Sequence, residues 1–207
     1  MSTVTSLEAL KRGRPRSEPA RLAILEAAAA LLSERGLRAM TIEQVAKRAG
    51  VAKTTIYRRW PSKATLALEA FLNEFLSTQP PVDTGTFDGD LRAALTAWVK
   101  TVDGTSTGRS LVSIIAEIQL DPELGFTWRE NILSSVRAQH RRMVERAISR
   151  GEIPSRSNVE LLMDMLYGPA YHRLVQGHLA LTPEFIELVV GMVVAGAKAG
   201  AAISPAG

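Results

Sequence analysis

The sequence predicts an all-α protein of about nine helices, and three observations carry that expectation. Ala and Leu, 28 and 24 of the 207 residues, make up a quarter of the chain, and both favour helix. Aromatic residues are 5% of it, which leaves little of the bulky material that strands prefer. Apolar residues recur three or four positions apart, and no stretch alternates apolar with polar for long.

Start and stop signals divide the chain. A first helix opens near Ser17-Glu18-Pro19 and carries Ile24, Leu25, Ala28, Leu31 and Leu32 on one face. It stops at Gly36, where a residue without a Cβ turns left-handed cheaply. A second opens at Thr41-Ile42-Glu43-Gln44, a capping box in which Thr41 and Gln44 satisfy each other's backbone N–H groups, and stops at Gly50. A short third covers about 53–60. Pro61-Ser62 then breaks the chain, and Ser62 caps a fourth helix that runs to about Leu76. Residues 77–90 hold paired prolines, glycines and aspartates, the composition of a loop.

Further helices are expected at about 90–103, 109–120, 122–150, 158–178 and 183–200. Asp121-Pro122-Glu123, Ser157-x-x-Glu160 and Thr182-Pro183-Glu184 mark three of the starts, each offering a cap and an acid to the positive end of the helix dipole. Pro169 should kink or break the helix at 158–178, because it lacks an N–H and its ring crowds the preceding turn. The two ends, about 1–16 and 201–207, lack such patterning and read as poorly ordered.

Composition excludes several function classes. With no cysteine, there is no disulfide framework, thiolate zinc site or thiol nucleophile. The longest apolar stretch, 188–197, falls well short of the ~20 residues a membrane span needs. The first sixteen residues lack the apolar core of a secretory signal. A cytoplasmic protein without a membrane partner is expected. Charge divides unevenly along it. Residues 1–63 carry thirteen Lys/Arg against five Asp/Glu, a balance of +8, whereas residues 64–207 carry twelve against sixteen, a balance of −4. A basic module attached to something different points to an acidic partner for the first part, most commonly nucleic acid.

Two short helices joined at Ala49-Gly50-Val51, behind a longer first helix, form a helix-turn-helix. Ile42, Val45, Ala46, Val51 and Ile56 would make its small core. The outer face of the second short helix carries Lys53, Thr54, Thr55, Tyr57, Arg58 and Arg59, donors suited to phosphates and base edges. The string Thr41-Ile-Glu-Gln-Val-Ala-Lys-Arg-Ala-Gly-Val-Ala-Lys-Thr-Thr-Ile-Tyr-Arg-Arg-Trp-Pro-Ser-Lys63 closely resembles the DNA-binding module of the TetR (tetracycline-repressor) family of bacterial regulators. The resemblance spans about residues 18–70 and is weaker beyond residue 80, where Asp121-Pro-Glu-Leu, Gly151-Glu-Ile-Pro and Leu166-Tyr-Gly-Pro-Ala-Tyr look like one type of C-terminal domain in that family.

The resemblance implies an all-helical homodimer with an N-terminal three-helix DNA-binding domain and a C-terminal domain for a small molecule. Its expected divisions here are a flexible basic arm at 1–16, the DNA-binding domain at 17–63, and the ligand-binding and dimerisation domain at 64–204. Carried over by position, Thr41 would cap the second helix and bond a phosphate. Lys53, Thr54 and Thr55 would lie near base edges. Tyr57 would reach a phosphate, Arg58 and Arg59 either kind of group, and Lys63 another phosphate. Ala52 departs from the frequent serine cap. Trp60 reads as a core aromatic facing the fourth helix. The arm Lys11-Arg12-Gly13-Arg14-Pro15-Arg16 resembles the core of an AT-hook, and Arg14 and Arg16 either enter the minor groove or make diffuse phosphate contacts.

No arrangement for catalysis is found, and neither a cofactor nor a metal is expected. His140, His172 and His178 are the only histidines, and the last two, six apart on a helix, would face different ways. Trp98, Leu111, Ile115, Gln119, Phe126, Trp128, Met143, Met163, Tyr167 and Tyr171 are candidates for a pocket that takes a hydrophobic or amphipathic organic effector, or else are ordinary core. The band Arg137, Arg141, Arg142, Arg146 and Arg150 reads as a solvated, partly salt-bridged face. The helix at 183–200 is apolar over most of its circumference, so a dimer surface is expected at Leu174, Phe185, Ile186, Val189, Val190, Val193 and Ala197.

These expectations converge on a transcriptional regulator, a repressor that binds a palindromic double-stranded operator and is released by its effector. The alternative is an architectural or partner-controlled DNA-binding protein without one.

Overall fold

The structure, a computed structural model, describes residues 17–79 and 81–199. The basic arm, with Arg14 and Arg16, lies outside the described residues. Every regular element among those described is a helix: α1 (Ser17–Ala39), α2 (Ile42–Ala49), α3 (Lys53–Tyr57), α4 (Lys63–Ser77), α5 (Phe87–Val102), α6 (Ser106–Ile118), α7 (Pro122–Trp128), α8 (Ser134–Ser149), α9 (Val159–Gln176) and α10 (Pro183–Lys198). A π-helical turn, Arg129–Leu133, joins α7 to α8. The helix expected at 122–150 is therefore one column widened by a π turn, which raises the count from about nine to ten.

The sequence signals act where they stand. Thr41 and Gln44 form a reciprocal capping box at α2, and Ser62 and Thr65 form another at α4. Asp121 accepts from the Glu123 and Leu124 N–H groups, and Thr182 from Phe185. At α9 the cap is one residue later than expected: Asn158 accepts from Leu161, while the Ser157 hydroxyl donates to the Pro154 carbonyl. Pro169 does not break α9, which runs from Val159 to Gln176.

Gly36 (φ 74°, ψ 166°) interrupts α1 in a conformation that only glycine adopts freely. Its missing side chain also admits a neighbour, since a Cβ there would stand 2.8 Å from the Ser113 hydroxyl of α6. That hydroxyl accepts the Leu37 N–H at 2.8 Å. α1 packs along α4 and α6 on one side and α2 on the other. One apolar core thus runs from the helix-turn-helix, through Phe71 and Leu66 of α4, into the larger helical body.

The second half of the molecule is closed by α10 against α5 and α9. Phe185, Ile186, Val189, Val190, Val193 and Ala197 are buried within their own chain, and Leu174 is partly buried against the same core. The residues expected at a dimer surface therefore face inward. A helix apolar all round can cover its own core with one side only, and the other side holds Leu188 and Met192, 63% and 68% exposed. On that outer stripe Gly191 lies one turn from Leu188 and Ala195 one turn from Met192. On α9, Met165 and Val175 are also exposed.

A fully buried carboxylate, Asp90 of α5, joins the loop after α4 to the end of α8. It accepts from the Thr84 N–H at 2.6 Å and the Thr84 hydroxyl at 2.8 Å, and it lies 3.4 Å from Arg146 and 3.5 Å from Arg150. Burial works against its ionisation. The Thr84 donors and the Arg146 guanidinium outweigh that and hold its pKa below the usual carboxylate range. The basic band of α8 is largely spent in this way, with Arg137 and Arg141 paired to Glu160.

Asp90→Asn should lower stability by about 1–3 kcal/mol, because the arginines lose their buried counter-charge. The stability that ionised Asp90 supplies is complete above its unfolded pKa of ~3.9 and drains as pH falls through the lower native value. Urea melts of both proteins across the acid range should therefore converge at low pH, and a constant difference would contradict this role.

Candidate functional site

Two sites share the molecule, and the first is the helix-turn-helix. Gly50 takes the left-handed conformation (φ 66°) at the end of α2, and the Val51 N–H then bonds the Ala46 carbonyl at 3.0 Å. The chain turns there within three residues into α3. Five residues are too few for a helix to persist alone, so α3 depends on burial of Ile56, roughly 1.5–3 kcal/mol for a side chain of that kind. α3 ends at Tyr57, three residues short of the expected 60, where the Arg59 and Trp60 N–H groups both bond the Ile56 carbonyl. Ala52 supplies no side-chain cap.

What this leaves outward is a polar, basic surface. Thr41, Lys53, Thr54, Tyr57, Arg58 and Arg59 are exposed, and Thr55 and Lys63 partly so. The Lys53 ammonium lies 2.9 Å from the Glu43 carboxylate, which raises the lysine pKa and lowers that of the acid by a charged hydrogen bond between α2 and α3. Lys63 donates to the Arg38 carbonyl at 3.0 Å and so ties the start of α4 to the end of α1. Trp60 is buried, and its indole N–H donates to Glu69 at 2.7 Å.

The second site is a cavity of about 390 Å³ lined by residues of α4 to α9, within the ~300–1,000 Å³ of small-molecule sites. Trp98, Ile115, Trp128, Met163, Tyr167 and Tyr171 line it. Met143 lines a smaller recess, about 160 Å³, behind the same Trp98, His140 and Tyr167. Three of the sequence candidates lie elsewhere. Leu111 is core one turn before Ile115, and Gln119, at the end of α6, is exposed. Phe126 is 60% exposed, because two positions along a helix from Trp128 is the opposite face.

The sequence reading missed Phe71, Phe75, Ile132, Leu133, Val136, Arg137, His140, Asp164 and Gly168, which complete the lining. Phe71 and Phe75 belong to α4, a helix that pattern alone assigns to core, and Ile132 and Leu133 are placed by the π turn. π turns are rare, and those that occur inside helices are often found at functional sites. The rings meet at ordinary aromatic distances: Phe71 and Phe75 at 5.5 Å, Phe71 and Trp128 at 5.8 Å, Trp98 and Tyr171 at 4.9 Å.

His140 is the polar centre of the wall. Its Nε2 is 2.8 Å from the Tyr167 hydroxyl, and the two rings overlap at 4.8 Å. Burial, with the Arg137 charge nearby, lowers the imidazole pKa to about 4. Burial also pushes the Tyr171 phenol up to about 12 and that of Tyr167 higher still. All three are neutral near pH 7. Arg137 donates to both Glu160 and Asp164, so the cationic group of the lining is matched by carboxylates.

His172 and His178 were expected to face apart, yet their rings meet at 5.0 Å, because Gly177 ends α9 in a left-handed turn and folds the chain back. Among the described residues no group of three or more His, Asp or Glu is placed to hold a metal. No helix among them is long and apolar enough to cross a membrane.

Fold and sites together define a helix-turn-helix DNA-binding protein of the transcription-regulator class with a cavity in its helical body. Residues 24–70 match the model of bacterial regulatory proteins of the tetR family, and residues 81–193 match a tetracyclin repressor-like C-terminal domain. The chain is 34% identical over 165 residues to the HTH-type transcriptional regulator YdeS of Bacillus subtilis (strain 168), covering 80% of this chain and 83% of that one. The crystal structure of the TetR family transcription regulator SCO0332 superposes with a TM-score of 0.76 at 33% identity, covering 86% of this chain and 98% of that chain. A transcriptional regulator FadR from Bacillus subtilis, in complex with stearoyl-CoA, has the same fold at 20% identity and a TM-score of 0.66, covering 84% of this chain and 98% of that one. The chain belongs to the TetR family of bacterial transcriptional regulators.

The state of His140 is directly measurable. Its imidazole resonances should titrate near pH 4, and a midpoint near 6.5 would show that the cavity wall is wet. The unfolded imidazole takes up a proton near 6.5 that the native one refuses, so stability should fall as pH drops from about 6.5 toward 4. His140→Phe should flatten that part of the profile.

Proposed function

We propose that the protein is a ligand-responsive repressor that binds a palindromic operator as a homodimer and releases it when a small organic molecule fills the cavity. The observation that carries this reading is the sharing of α4 between the two sites. Its first turn is tied by Lys63 to the Arg38 carbonyl at the end of α1, its Glu69 holds the Trp60 indole just after α3, and its third and fourth turns present Phe71 and Phe75 to the cavity. A ligand that needs more room between α4 and its neighbours must move the rod that supports the recognition helix.

In this reading α3 enters the major groove, where Lys53, Thr54 and Thr55 face base edges. Thr41, Tyr57 and Lys63 hold phosphates, and Arg58 and Arg59 reach either kind of group. Arg14 and Arg16 of the arm add minor-groove or phosphate contacts. Dimerisation supplies the palindrome. The outer stripes of α9 and α10, with Met165, Val175, Leu188 and Met192, make an apolar face of the kind that a second copy covers, and four helices across a two-fold axis would bury it. Two recognition helices then read half-sites about 34–36 Å apart. Ligand and operator must weaken each other's binding by the same factor. A cytoplasmic regulator without catalytic activity fits this reading, and a cavity of about 390 Å³ lined by rings favours it over an architectural protein with no effector.

Selection from random duplex DNA near physiological salt, followed by sequencing, tests the reading, and a two-fold symmetric motif is the expected result. Enrichment of A·T-rich DNA alone would favour the architectural alternative. On the selected site, Arg58→Ala and Arg59→Ala should each weaken binding and reduce the salt slope by about one where the arginine neutralises a phosphate. Leu188→Glu with Met192→Glu should give a monomer by light scattering at micromolar concentration, with operator affinity lost. A dimer that persists would place the interface elsewhere.

A further inference from the structure

The cavity's lining narrows the chemistry of its ligand. We infer that the effector is an uncharged, planar aromatic molecule whose polar group hydrogen-bonds the Tyr167–His140 pair, and that carboxylates and flexible alkyl chains are poor ligands. This rests on the ligand-responsive reading above.

Three observations carry it. Six rings, Phe71, Phe75, Trp98, Trp128, Tyr167 and Tyr171, contribute to the wall, and those in mutual contact keep the offset and tilted geometries that a further ring would extend. A rigid ring system entering such a wall loses little conformational freedom, whereas an alkyl chain gives up its rotors and gains no ring contacts. Charge comes second. Arg137 and Asp164, the charged pair of the lining, neutralise each other, and Glu160 is shared between Arg137 and Arg141. An anion would have to take Arg137 from two carboxylates, and a cation would have to take Asp164 from Arg137. Either exchange costs the half-buried Arg137 a paired carboxylate, while the more exposed Glu160 and Asp164 can fall back on water. The penalty is modest, but the pair gives a charged ligand no free partner.

The third observation is the polar pair itself. Tyr167 and His140 are joined by one hydrogen bond of 2.8 Å, in which either atom can be the donor. If the phenol donates, its oxygen lone pairs can accept from an N–H or O–H. If the imidazole donates, the phenol proton is free for a carbonyl. The pair therefore serves a neutral donor or a neutral acceptor by changing tautomer, with no change in charge.

Calorimetry on the full chain at pH 7.5 tests this with four probes: 2-naphthol, 2-naphthoate, 2-naphthylmethylammonium and 1-decanol. Saturable binding of 2-naphthol at least about tenfold tighter than of the other three is expected, and Tyr167→Phe should weaken it by about tenfold. Gly168→Leu, at a lining position where a Cβ meets nothing within 4 Å, should weaken it further by narrowing the cavity. Equal or tighter binding of naphthoate or decanol, or no saturable binding of any probe, overturns the inference, and wild-type protein alone decides this. The same probes are then added to the protein on its selected operator. Naphthol that binds but does not release DNA upholds the ligand class and sinks the effector reading. Release by naphthoate or decanol keeps the effector reading and sinks the ligand class.

Discussion

Glu69 accepts two hydrogen bonds from two different elements: Arg21 of α1 at 2.8 Å on one oxygen, and the Trp60 indole at 2.7 Å on the other. α3 is too short to hold itself, and Trp60, just beyond it, is its anchor in the core. Without Glu69 the buried Trp60 indole N–H would lose its partner, and α3 would lose that tie to α4. Two positions further along α4 the chain reaches Phe71, at the wall of the cavity. One helix thus holds the helix-turn-helix at one end and borders the cavity at the other.

The same economy governs the cavity. Its column of α7 and α8 carries a π turn at Arg129–Leu133, which places Ile132 and Leu133 in the wall between Trp128 and Val136. The far end of α8 is held by the Asp90 cluster, with Arg146 and Arg150. The middle, with Arg137 and His140, faces the cavity between these two fixed points. Charge is balanced there by Glu160 and Asp164, and the remaining polarity is a neutral imidazole against a phenol. An apolar space of this kind excludes unpaired charge, whose burial is costly.

Local chemistry was legible wherever a residue acts on its own neighbours in sequence. The Thr41 and Ser62 boxes, the Asp121 and Thr182 caps, the left-handed Gly50 and the break at Gly36 each act within four residues, and pattern finds them. The exposed face of α3 and the buried Trp60 followed from the same periodicity and from a family resemblance. The cap of α9 shifted by one residue because Asn158 and Ser157 are both competent, and Ser157 is used in the preceding turn.

What depends on more than one element was decided by tertiary structure. Periodicity marks the apolar side of α10, yet Phe185 and Leu188 are both apolar, and only packing against α5 and α9 sends the first inward and leaves the second exposed. Aromatics of the middle helices were visible as a set, but whether a ring borders a cavity or plain core is set by the rotation of its helix, which separates Trp128 from Phe126, while Gln119 lies just beyond the end of α6. Phe71, Phe75 and His140 carry no local mark of a cavity, because a cavity is the space that several helices fail to fill together. The amino-acid sequence by itself determined the helices, most of their caps, the helix-turn-helix and its polar face, since these rest on contacts within a turn or two. The tertiary structure decided the cavity, the neutral imidazole and the free face of α10, since each is a property of surfaces brought together from distant parts of the chain.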